Sequence, residues 1–522
     1  MRKVFSWSIG RLTLGVLLLC GPAPIIFSGC TNLTEVPKDA LTPTNAFHTD
    51  AEVLAGVASV YANLRTTMDD RYNLSEITTD EIIVPTRGQD WYDNGRWLEI
   101  FRHNWNASSG SALADMNGAW SNLFAGVARA NLMIDVITTA NTPGSAPVLA
   151  ELRTLRAWYY YLLQDMFGGV PLVTGTKLEA LPKVSRDSVF RFIEAELKAA
   201  RADLPVSRPA DQAGRLTKGA ADAILASLYL NAQVYTGTVG AGGLTKGAQR
   251  WQDAITAADN VINSGQYALS PDWKKNFSPD NHDSKENIFF ISNTDAQPDL
   301  GMNFPHRTLH YAQLNVQGGP WNGFAAVAET YNAFDPADAR RNIFLVGQQY
   351  SFDTGLPVND RAGNPLIFTV NINNETAATE AEGPRYNKFS PKPGIPSGSS
   401  EPNNYPFFRL AEMYLIKAEA LNELGQTDAA IAQVNIIRAR QFSPAKPLAA
   451  GMTQAAARTA IFNERWFELT GEGKRRSDMI RAGTFVDPRR FKNTVTPGYK
   501  ILFPIPQTQI ASNPQLTQNS GY

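Results

Sequence analysis

Cysteine is almost absent from the 522-residue chain, which contains only Cys20 and Cys30. Two cysteines near the amino terminus cannot form the disulfide framework of a small secreted domain. They also cannot supply the clustered thiolates of a structural zinc site. Stability must therefore come from a buried core, for which 43% hydrophobic residues, including 10% aromatic residues, are sufficient.

An excess of charge of either sign is also lacking, because 48 Lys and Arg residues balance 49 Asp and Glu residues. Proteins that bind nucleic acid need a basic surface that neutralises phosphates. We therefore exclude a dedicated nucleic-acid-binding function. The balanced charge fits a neutral ligand.

Motifs for catalysis and cofactor binding are scarce. Of the five histidines, His306 and His310 have the spacing of a helical metal pair, but the nearby Pro305 favours a loop and no glutamate follows His306. The glycine-rich segment 237–247 lacks the Gly-Lys-Ser/Thr order of a phosphate loop, and no Gly-x-Ser-x-Gly elbow occurs. We predict no catalytic residue, no metal ion and no cofactor.

Long apolar runs are confined to the first thirty residues. Basic residues precede an apolar stretch at 12–19, which predicts a signal peptide over residues 1–29. The stretch ends in Phe27-Ser28-Gly29-Cys30, which resembles the cleavage signal of bacterial lipoproteins. We predict acylation of Cys30 and a lipid-anchored chain, with a plain secretory signal as the alternative. No later stretch approaches the ~20 apolar residues of a spanning helix.

Apolar residues recur every three or four positions through much of the chain, which predicts a mainly α-helical fold. The clearest pair is a helix at 407–424, a short turn, and a helix at 428–440. It resembles a tetratricopeptide unit, and segments 219–231 and 251–263 form a second candidate pair. Because two helices cannot bury their seam alone, we expect stacked pairs in an α-α superhelix. A helical domain without repeats is the alternative.

We divide the chain into a signal peptide (1–29), an N-terminal helical part (30–264), an insertion (265–405) and a C-terminal helical part (406–522). The insertion is rich in Gly, Pro, Asn and Asp and contains one clear strand pattern at 286–291. Long irregular stretches in a compact protein are usually binding loops. We therefore expect the partly β insertion to carry the ligand-facing surface.

Two aromatic clusters lie beside amide and carboxylate residues. Sugars present apolar C–H faces between rims of hydroxyl groups, so flat aromatic rings next to polar side chains suit them. Core packing is the alternative for each aromatic ring. The candidate ligand-binding residues are Trp91, Tyr92 and Trp97 in the first cluster, and Tyr311, Trp321 and Asn322 in the second.

Two groups of carboxylates need a separate interpretation. Asp80 and Glu81 precede the first aromatic cluster, and a glycosidase could use such a pair. Near the C-terminus, Glu464, Glu468 and Glu472 interleave with basic residues around two glycines. Opposite charges this dense favour ion pairs that lock a helix-turn-helix corner over catalysis.

Six sequence phrases follow the lipoprotein signal in a fixed order. They are 120–131 (WSNLFAGVARAN), 155–171 (LRAWYYYLLQDMFGGVP), 214–230 (GRLTKGAADAILASLYL), 408–425 (FRLAEMYLIKAEALNELG), 464–481 (ERWFELTGEGKRRSDMIR) and 502–522 (LFPIPQTQIASNPQLTQNSGY). Together they resemble the SusD/RagB family of outer-membrane nutrient-binding lipoproteins. Small departures are Trp466, where arginine is frequent, Thr470-Gly471, where a bulkier apolar residue is common, and Gln509, where an acid is usual.

The resemblance implies a tetratricopeptide-like scaffold on the bacterial cell surface. It implies a non-enzymatic lid that captures oligosaccharide or peptide for a SusC-like TonB-dependent transporter in the outer membrane. The starch-binding member uses an arc of aromatic residues, which supports Trp97, Tyr311 and Trp321 as ligand contacts. The alternatives are an exported α-helical glycoside hydrolase using Asp80 or Glu81, and a tetratricopeptide scaffold that binds only protein.

Overall fold

Helices dominate the part of the chain that the structure, a computed structural model, describes: residues 49–141, 144–294, 301–394 and 400–522. The predicted signal peptide and Cys30 lie outside these residues. The helices are α1 (Asp50–Ala62), α2 (Asp70–Glu76), α3 (Arg96–Phe101), α4 (Leu113–Ala140), α5 (Ala146–Phe167), α6 (Arg186–Asp203), α7 (Lys218–Leu230), α8 (Ala232–Tyr235), α9 (Trp251–Ile262), α10 (Phe304–Thr308), α11 (Ala328–Ala333), α12 (Leu410–Glu423), α13 (Thr427–Arg438), α14 (Gln454–Leu469), α15 (Arg475–Ala482) and α16 (Gln507–Ser512).

Long helices that are neighbours in sequence pack against each other, as α4 does with α5, α5 with α6, and α12 with α13. In α6, the buried residues Val189, Phe190, Ile193, Leu197 and Ala200 recur at helical spacing and form one apolar stripe. Across the first pair, Gly126 of α4 lies on the ring of Tyr159 of α5, where any Cβ atom would overlap the ring. The predicted tetratricopeptide-like helical scaffold is confirmed.

Among the described helices, α4 is long and apolar enough to span a membrane. It packs against α1, α2 and α5, and Met116, Trp120, Leu123 and Val127 are buried there. Burial of these side chains against neighbouring helices explains its apolar composition, so α4 is a core helix of the helical body.

The strands are short and pair two by two within the described ranges: β1 (Ile82–Ile83) with β5 (Ala325–Ala326), β2 (Thr238–Gly240) with β3 (Gly243–Thr245), β4 (Asn287–Ile291) with β10 (Tyr405–Arg409), β6 (Phe344–Leu345) with β9 (Arg385–Tyr386), and β7 (Gly347–Gln348) with β8 (Ile367–Phe368). The strand predicted at 286–291 is β4, and β10 leads directly into α12. The β4–β10 pair therefore ties the two ends of the predicted insertion to the helical scaffold. The β6–β9 and β7–β8 pairs lie within the insertion, β1–β5 joins it to the N-terminal part, and β2–β3 is a separate hairpin between α8 and α9.

Beside this β4–β10 pair lies a buried ionic network. Arg409 is fully buried and binds Glu286 at 2.6 Å, Glu468 at 3.1 Å and Glu472 at 2.7 Å. Burial alone would raise the pKa of Glu468, but Arg440, Arg409 and Arg340 lower it to about 2. The network joins the start of the insertion, β10 and the end of α14.

The charged C-terminal corner predicted from the sequence is therefore confirmed as structural, although its partners differ from the expected ones. Arg465 and Asp478 do form a local bidentate pair at 2.8 and 2.9 Å. Glu468 and Glu472, however, bind Arg409, which is 59 and 63 residues away in sequence. The interleaved charges in the sequence therefore indicate a cluster of ion pairs at this corner, but they do not reveal that Arg409, distant in sequence, is its main cation.

Candidate functional site

The two predicted aromatic clusters meet in space. The indole Nε1 of Trp91 donates a hydrogen bond to the backbone oxygen of Trp321 at 2.6 Å, across 230 residues of sequence. The hydroxyl of Tyr311 donates to Asp90, the neighbour of Trp91, at 2.7 Å. These bonds bring the half-buried Trp91, Tyr311 and Trp321 together in one surface, and the exposed Tyr92 adjoins it in the sequence. We call it the aromatic surface.

A strained backbone presents this surface. Arg87 and Asp90 exchange backbone hydrogen bonds of 2.9 and 3.0 Å across a tight turn. Immediately after it, Trp91 has φ 61°, and Asn322 on the facing segment has φ 52°. Bulky residues adopt this left-handed conformation only where the surrounding structure enforces it, and such strain concentrates at functional sites.

Trp97 and Asn322 lie beneath the aromatic surface. Trp97 is 6% exposed, donates to Asp93 at 2.6 Å and packs edge-on against Trp91 with ring centroids 5.4 Å apart. Asn322 is fully buried and accepts hydrogen bonds from Arg385 at 2.8 and 3.1 Å. Both residues support the surface in this conformation, and direct ligand contact by either would require the surface to open.

Charged residues border the surface at Tyr311. The guanidinium of Arg361 lies 4.7 Å from the centroid of the Tyr311 ring and donates to Asp90 at 2.8 Å. Arg361 also binds Glu380, which accepts a hydrogen bond from His310. Burial opposes ionisation of Glu380, but the hydrogen bonds from Arg361 and His310 lower its pKa to about 2. The carboxylate therefore stays charged at neutral pH and holds Arg361 over the ring.

Gly323 allows the close approach of the two segments, because any Cβ atom there would overlap the ring of Trp91. We expect Gly323→Ala to displace Trp91 and to lower the free energy of unfolding by about 1–3 kcal/mol, the usual cost of overpacking. Chemical denaturation checks this value. In a Trp91→Ala background the same change should cost much less, since the overlapping ring is gone. An equal cost in both backgrounds would contradict the packing described here.

Asp80 and Glu81 occupy positions unlike those of glycosidase carboxylates. Both oxygens of Asp80 accept hydrogen bonds from Arg475, each at 2.8 Å. Glu81 is 1% exposed and accepts a hydrogen bond from the backbone N–H of Gly471 at 2.9 Å. Its side chain also contacts that of Glu76, which is fully buried. Neither carboxylate is free to act on a sugar bound at the surface, so the geometry favours structural roles.

The Glu76–Glu81 pair predicts a pH-dependent stability. Burial, followed by repulsion from Glu76, raises the pKa of Glu81 well above its ordinary value. Since the folded state binds this proton more tightly than the unfolded state, the pair lowers stability as the pH rises above about 4.3. Glu81→Gln keeps an acceptor for Gly471 and needs no proton. We expect the variant to be more stable than the parent at pH 8, with the difference vanishing below about pH 4.

Urea denaturation at several pH values measures this effect. The exposed Glu179 is a matched control, and Glu179→Gln should show no gain that grows with pH. A Glu81→Gln variant that is less stable than the parent at pH 8 would contradict a shared proton at this pair.

The two histidines with metal-like spacing face different acidic partners. His306 lies in α10 and contacts Glu401 at 3.1 Å, while His310 contacts Glu380 at 3.0 Å. No group of three or more His, Cys, Asp or Glu residues able to hold a metal ion occurs in the described part of the chain. The histidines are buried polar residues, although His306 is helical where a loop was expected.

A polar groove that local sequence patterns do not reveal lies next to Tyr92. Tyr92 is 57% exposed and lines a cleft of about 500 Å³ with Leu98, Arg102 and Thr376. Arg102 forms an ion pair with Glu375 there. In the sequence, only the aromatic cluster containing Tyr92 indicates this groove. The opposite wall, at Glu375, lies more than 270 residues further along the chain than Arg102.

Comparison with known proteins identifies the family. A sequence model described as the SusD family matches residues 280–522, and a second, described as starch-binding and associating with the outer membrane, matches residues 39–230. The chain belongs to the SusD family. The predicted association with the outer membrane agrees with this family description, while acylation of Cys30 stays a prediction.

Individual relatives are distant but match over nearly the whole chain. SusD-like protein P25 of Formosa agariphila is 23% identical, covering 94% of this chain and 96% of the relative. The starch-binding protein SusD of Bacteroides thetaiotaomicron is 25% identical, covering 86% and 85%. A solved structure of a laminarin-binding SusD-like protein superposes with a TM-score of 0.70 at 22% identity, covering 91% of this chain and all of that one. The SusD-like proteins thus share this fold.

Proposed function

We propose that this protein is a cell-surface lipoprotein that binds oligosaccharide and delivers it to a SusC-like TonB-dependent transporter, acting as its lid. The observation that carries the proposal is the aromatic surface, which two distant segments build together through the Trp91–Trp321 hydrogen bond. Family membership supports the transporter as partner and the outer membrane as location.

The chemistry of the surface fits a sugar. Half-buried rings offer flat apolar area to the C–H face of a pyranose, and their own polar groups are already bonded within the protein. Asp90, Arg361 and Glu380 border the rings and can exchange hydrogen bonds with hydroxyl groups. Because one relative is named for starch and a structural neighbour for laminarin, glucans are the first ligands to test.

No step in this proposal requires catalysis by the chain. Arg475 occupies both oxygens of Asp80, and Glu81 is buried against Gly471. The residues that a hydrolase would use are therefore part of the packing between the N-terminal segment and the loop after α14. The lid function needs binding and release alone, and the transporter would supply the coupling to energy.

A glycan panel separates the alternatives. The mature protein, incubated with starch- and laminarin-derived oligosaccharides, should bind at least one of them and leave it intact. Sustained product formation that is lost in Asp80→Asn or Glu81→Gln would establish the hydrolase instead. If the protein binds peptides and no glycan, its ligand is a peptide. If it binds neither, the result would favour a scaffold that binds only protein.

The partner needs a separate test. Affinity purification of the full-length protein from solubilised outer membranes should recover a TonB-dependent transporter in stoichiometric amount. Recovery of the full-length protein without any transporter would contradict the lid role.

The lipid anchor is tested with a Cys30→Ser form, which should be released from the membrane fraction if Cys30 is the lipid anchor.

A further inference from the structure

A second surface begins at Tyr92, the only residue of this surface among the candidate ligand-binding residues. Two adjoining cavities, of about 500 and 640 Å³, share Arg102 and Asn104 in their walls. Tyr92 lines the first cavity and Phe491 lines the second. Because Arg102 and Asn104 line both cavities, we treat the two as one groove, with one aromatic residue in each part. We call it the Tyr92–Phe491 groove.

Phe491 is held in a strained turn. Arg489 and Lys492 exchange backbone hydrogen bonds of 2.9 Å, and Phe491 between them has φ 62°. A bulky side chain rarely adopts this conformation, which glycine accepts without cost. The turn keeps a half-buried phenyl ring in the groove wall where a glycine would satisfy the backbone better.

Several hydrogen bonds enforce this turn. The Arg489 guanidinium donates to the backbone oxygens of Thr78 at 2.7 Å and Phe101 at 3.0 Å. The Lys492 ammonium donates to three backbone oxygens of its own loop at 2.7–3.2 Å. Strain that the surrounding structure overrides in this way indicates a functional requirement for the residue that bears it.

The groove between the two rings is lined with polar groups suited to hydroxyls. The amide residues Asn104 and Asn493 are exposed. Arg102 pairs with Glu375 on one side. Arg490 donates to the backbone oxygen of Ile372 at 2.9 Å, and its buried Nε atom has no acceptor among the described residues. Amide, guanidinium and carboxylate groups that share a groove with two aromatic side chains are suited to the hydroxyl groups and apolar faces of a saccharide.

One segment connects this groove to the aromatic surface. The backbone N–H of Thr86 donates to the backbone oxygen of Glu375, and its backbone oxygen accepts from Ala378, each at 2.9 Å. These bonds fix residues 375–378 along the irregular segment that follows β1. Glu375 lies in the groove, whereas Glu380 of the same segment binds Arg361 over Tyr311. Tyr92, which lines the groove, also directly follows Trp91 of the aromatic surface in the sequence.

We propose that the Tyr92–Phe491 groove is a second glycan-binding surface, which takes the continuation of an oligosaccharide whose first residues lie on the aromatic surface. Phe491 is its distal stacking platform, and Arg102 with the two asparagines contacts hydroxyl groups between the platforms. The inference rests on the proposed function and adds that affinity depends on chain length.

Titration calorimetry with short and long oligosaccharides of one glycan series tests this inference. Wild-type protein should bind the long members about tenfold more tightly than the short ones, the scale of one stacking contact. Phe491→Gly should remove that gain and leave the short members unaffected. The ring of Phe491 packs against the core and under Arg490, so its removal costs packing energy that the relief of backbone strain offsets in part. The variant should therefore remain folded, which its melting temperature checks. Phe491→Tyr, which keeps the ring, should retain the gain.

The outcomes distinguish the two proposals. If wild-type protein binds no glycan, the proposed function fails. If wild-type protein binds glycan and Phe491→Gly retains the full preference for long chains, the groove is not a glycan surface. Equal losses for short and long chains would also overturn the inference, since the groove would not then receive the continuation of the chain.

Discussion

Trp321→Ala is expected to weaken glycan binding by about 10- to 100-fold. Removing a ring that a sugar covers forfeits about 1.5–3 kcal/mol of apolar burial, and each 1.4 kcal/mol is a factor of ten in affinity. The ring is well placed for this contact because its segment is fixed. The backbone N–H of Trp321 donates to His306 at 2.6 Å, and its indole donates to Gly318 at 3.2 Å. Titration calorimetry with the best ligand of the glycan panel measures the loss.

Trp466 provides a matched control. It is also a half-buried tryptophan, but it lies on α14, where it stacks on Phe467 and Arg475. Trp466→Ala should therefore retain wild-type affinity while losing some stability. If the two alanine variants lost affinity equally, the effect of Trp321→Ala would be a general consequence of weakened packing. The aromatic surface would then have no special role.

Arg409→Ala is expected to have the largest effect on stability, lowering the free energy of unfolding by about 3–5 kcal/mol. Removal of the guanidinium leaves Glu286, Glu468 and Glu472 buried around the missing charge, each having bound Arg409 at 2.6–3.1 Å. Arg440, Arg340 and Lys388 still bind these carboxylates, but without Arg409 the buried cluster is short of one positive charge. Removing one member of a buried ionic network is costly because the remaining desolvated charges are no longer balanced. Urea denaturation at neutral pH gives the difference.

The surface pair between Arg458 and Glu423 is the control for this stability prediction. Its side chains are 50% and 21% exposed and their atoms are 2.6 Å apart. Because water screens an exposed pair, Arg458→Ala should cost less than about 1 kcal/mol. If Arg409→Ala were as mild as Arg458→Ala, the ionic network would not hold β10 against α14 as described.

Much of the scaffold could be predicted from local pattern. The helix pair predicted at 407–440 appears as α12 and α13, and the strand at 286–291 as β4. Residues 407–409, predicted as helix, are instead the end of β10, because they pair with β4. These elements can be predicted because apolar residues recur with a period of 3.6 residues on the buried face of a helix and of 2 residues on that of a strand. Both predicted aromatic clusters contribute to one surface, although the first cluster lies outside the insertion at 265–405. Ligand contact by these residues stays a prediction.

The details of the site depended on contacts between residues distant in sequence. Nothing near Trp97 in the sequence shows that Phe324 covers it, with ring centroids 5.7 Å apart. Likewise, Asp80 resembles a free carboxylate until Arg475, 395 residues away, binds both of its oxygens. Composition and spacing identified the residue types, whereas three-dimensional packing decided which of them are exposed.

The most direct test of the central claim is a calorimetric titration of the mature wild-type protein with starch- and laminarin-derived oligosaccharides, followed by product analysis of the same samples. Our account predicts saturable binding of at least one glycan series, reduced about 10- to 100-fold in Trp321→Ala, with the oligosaccharide recovered intact. Binding that is unchanged in Trp321→Ala, or recovery of shortened products, would contradict it.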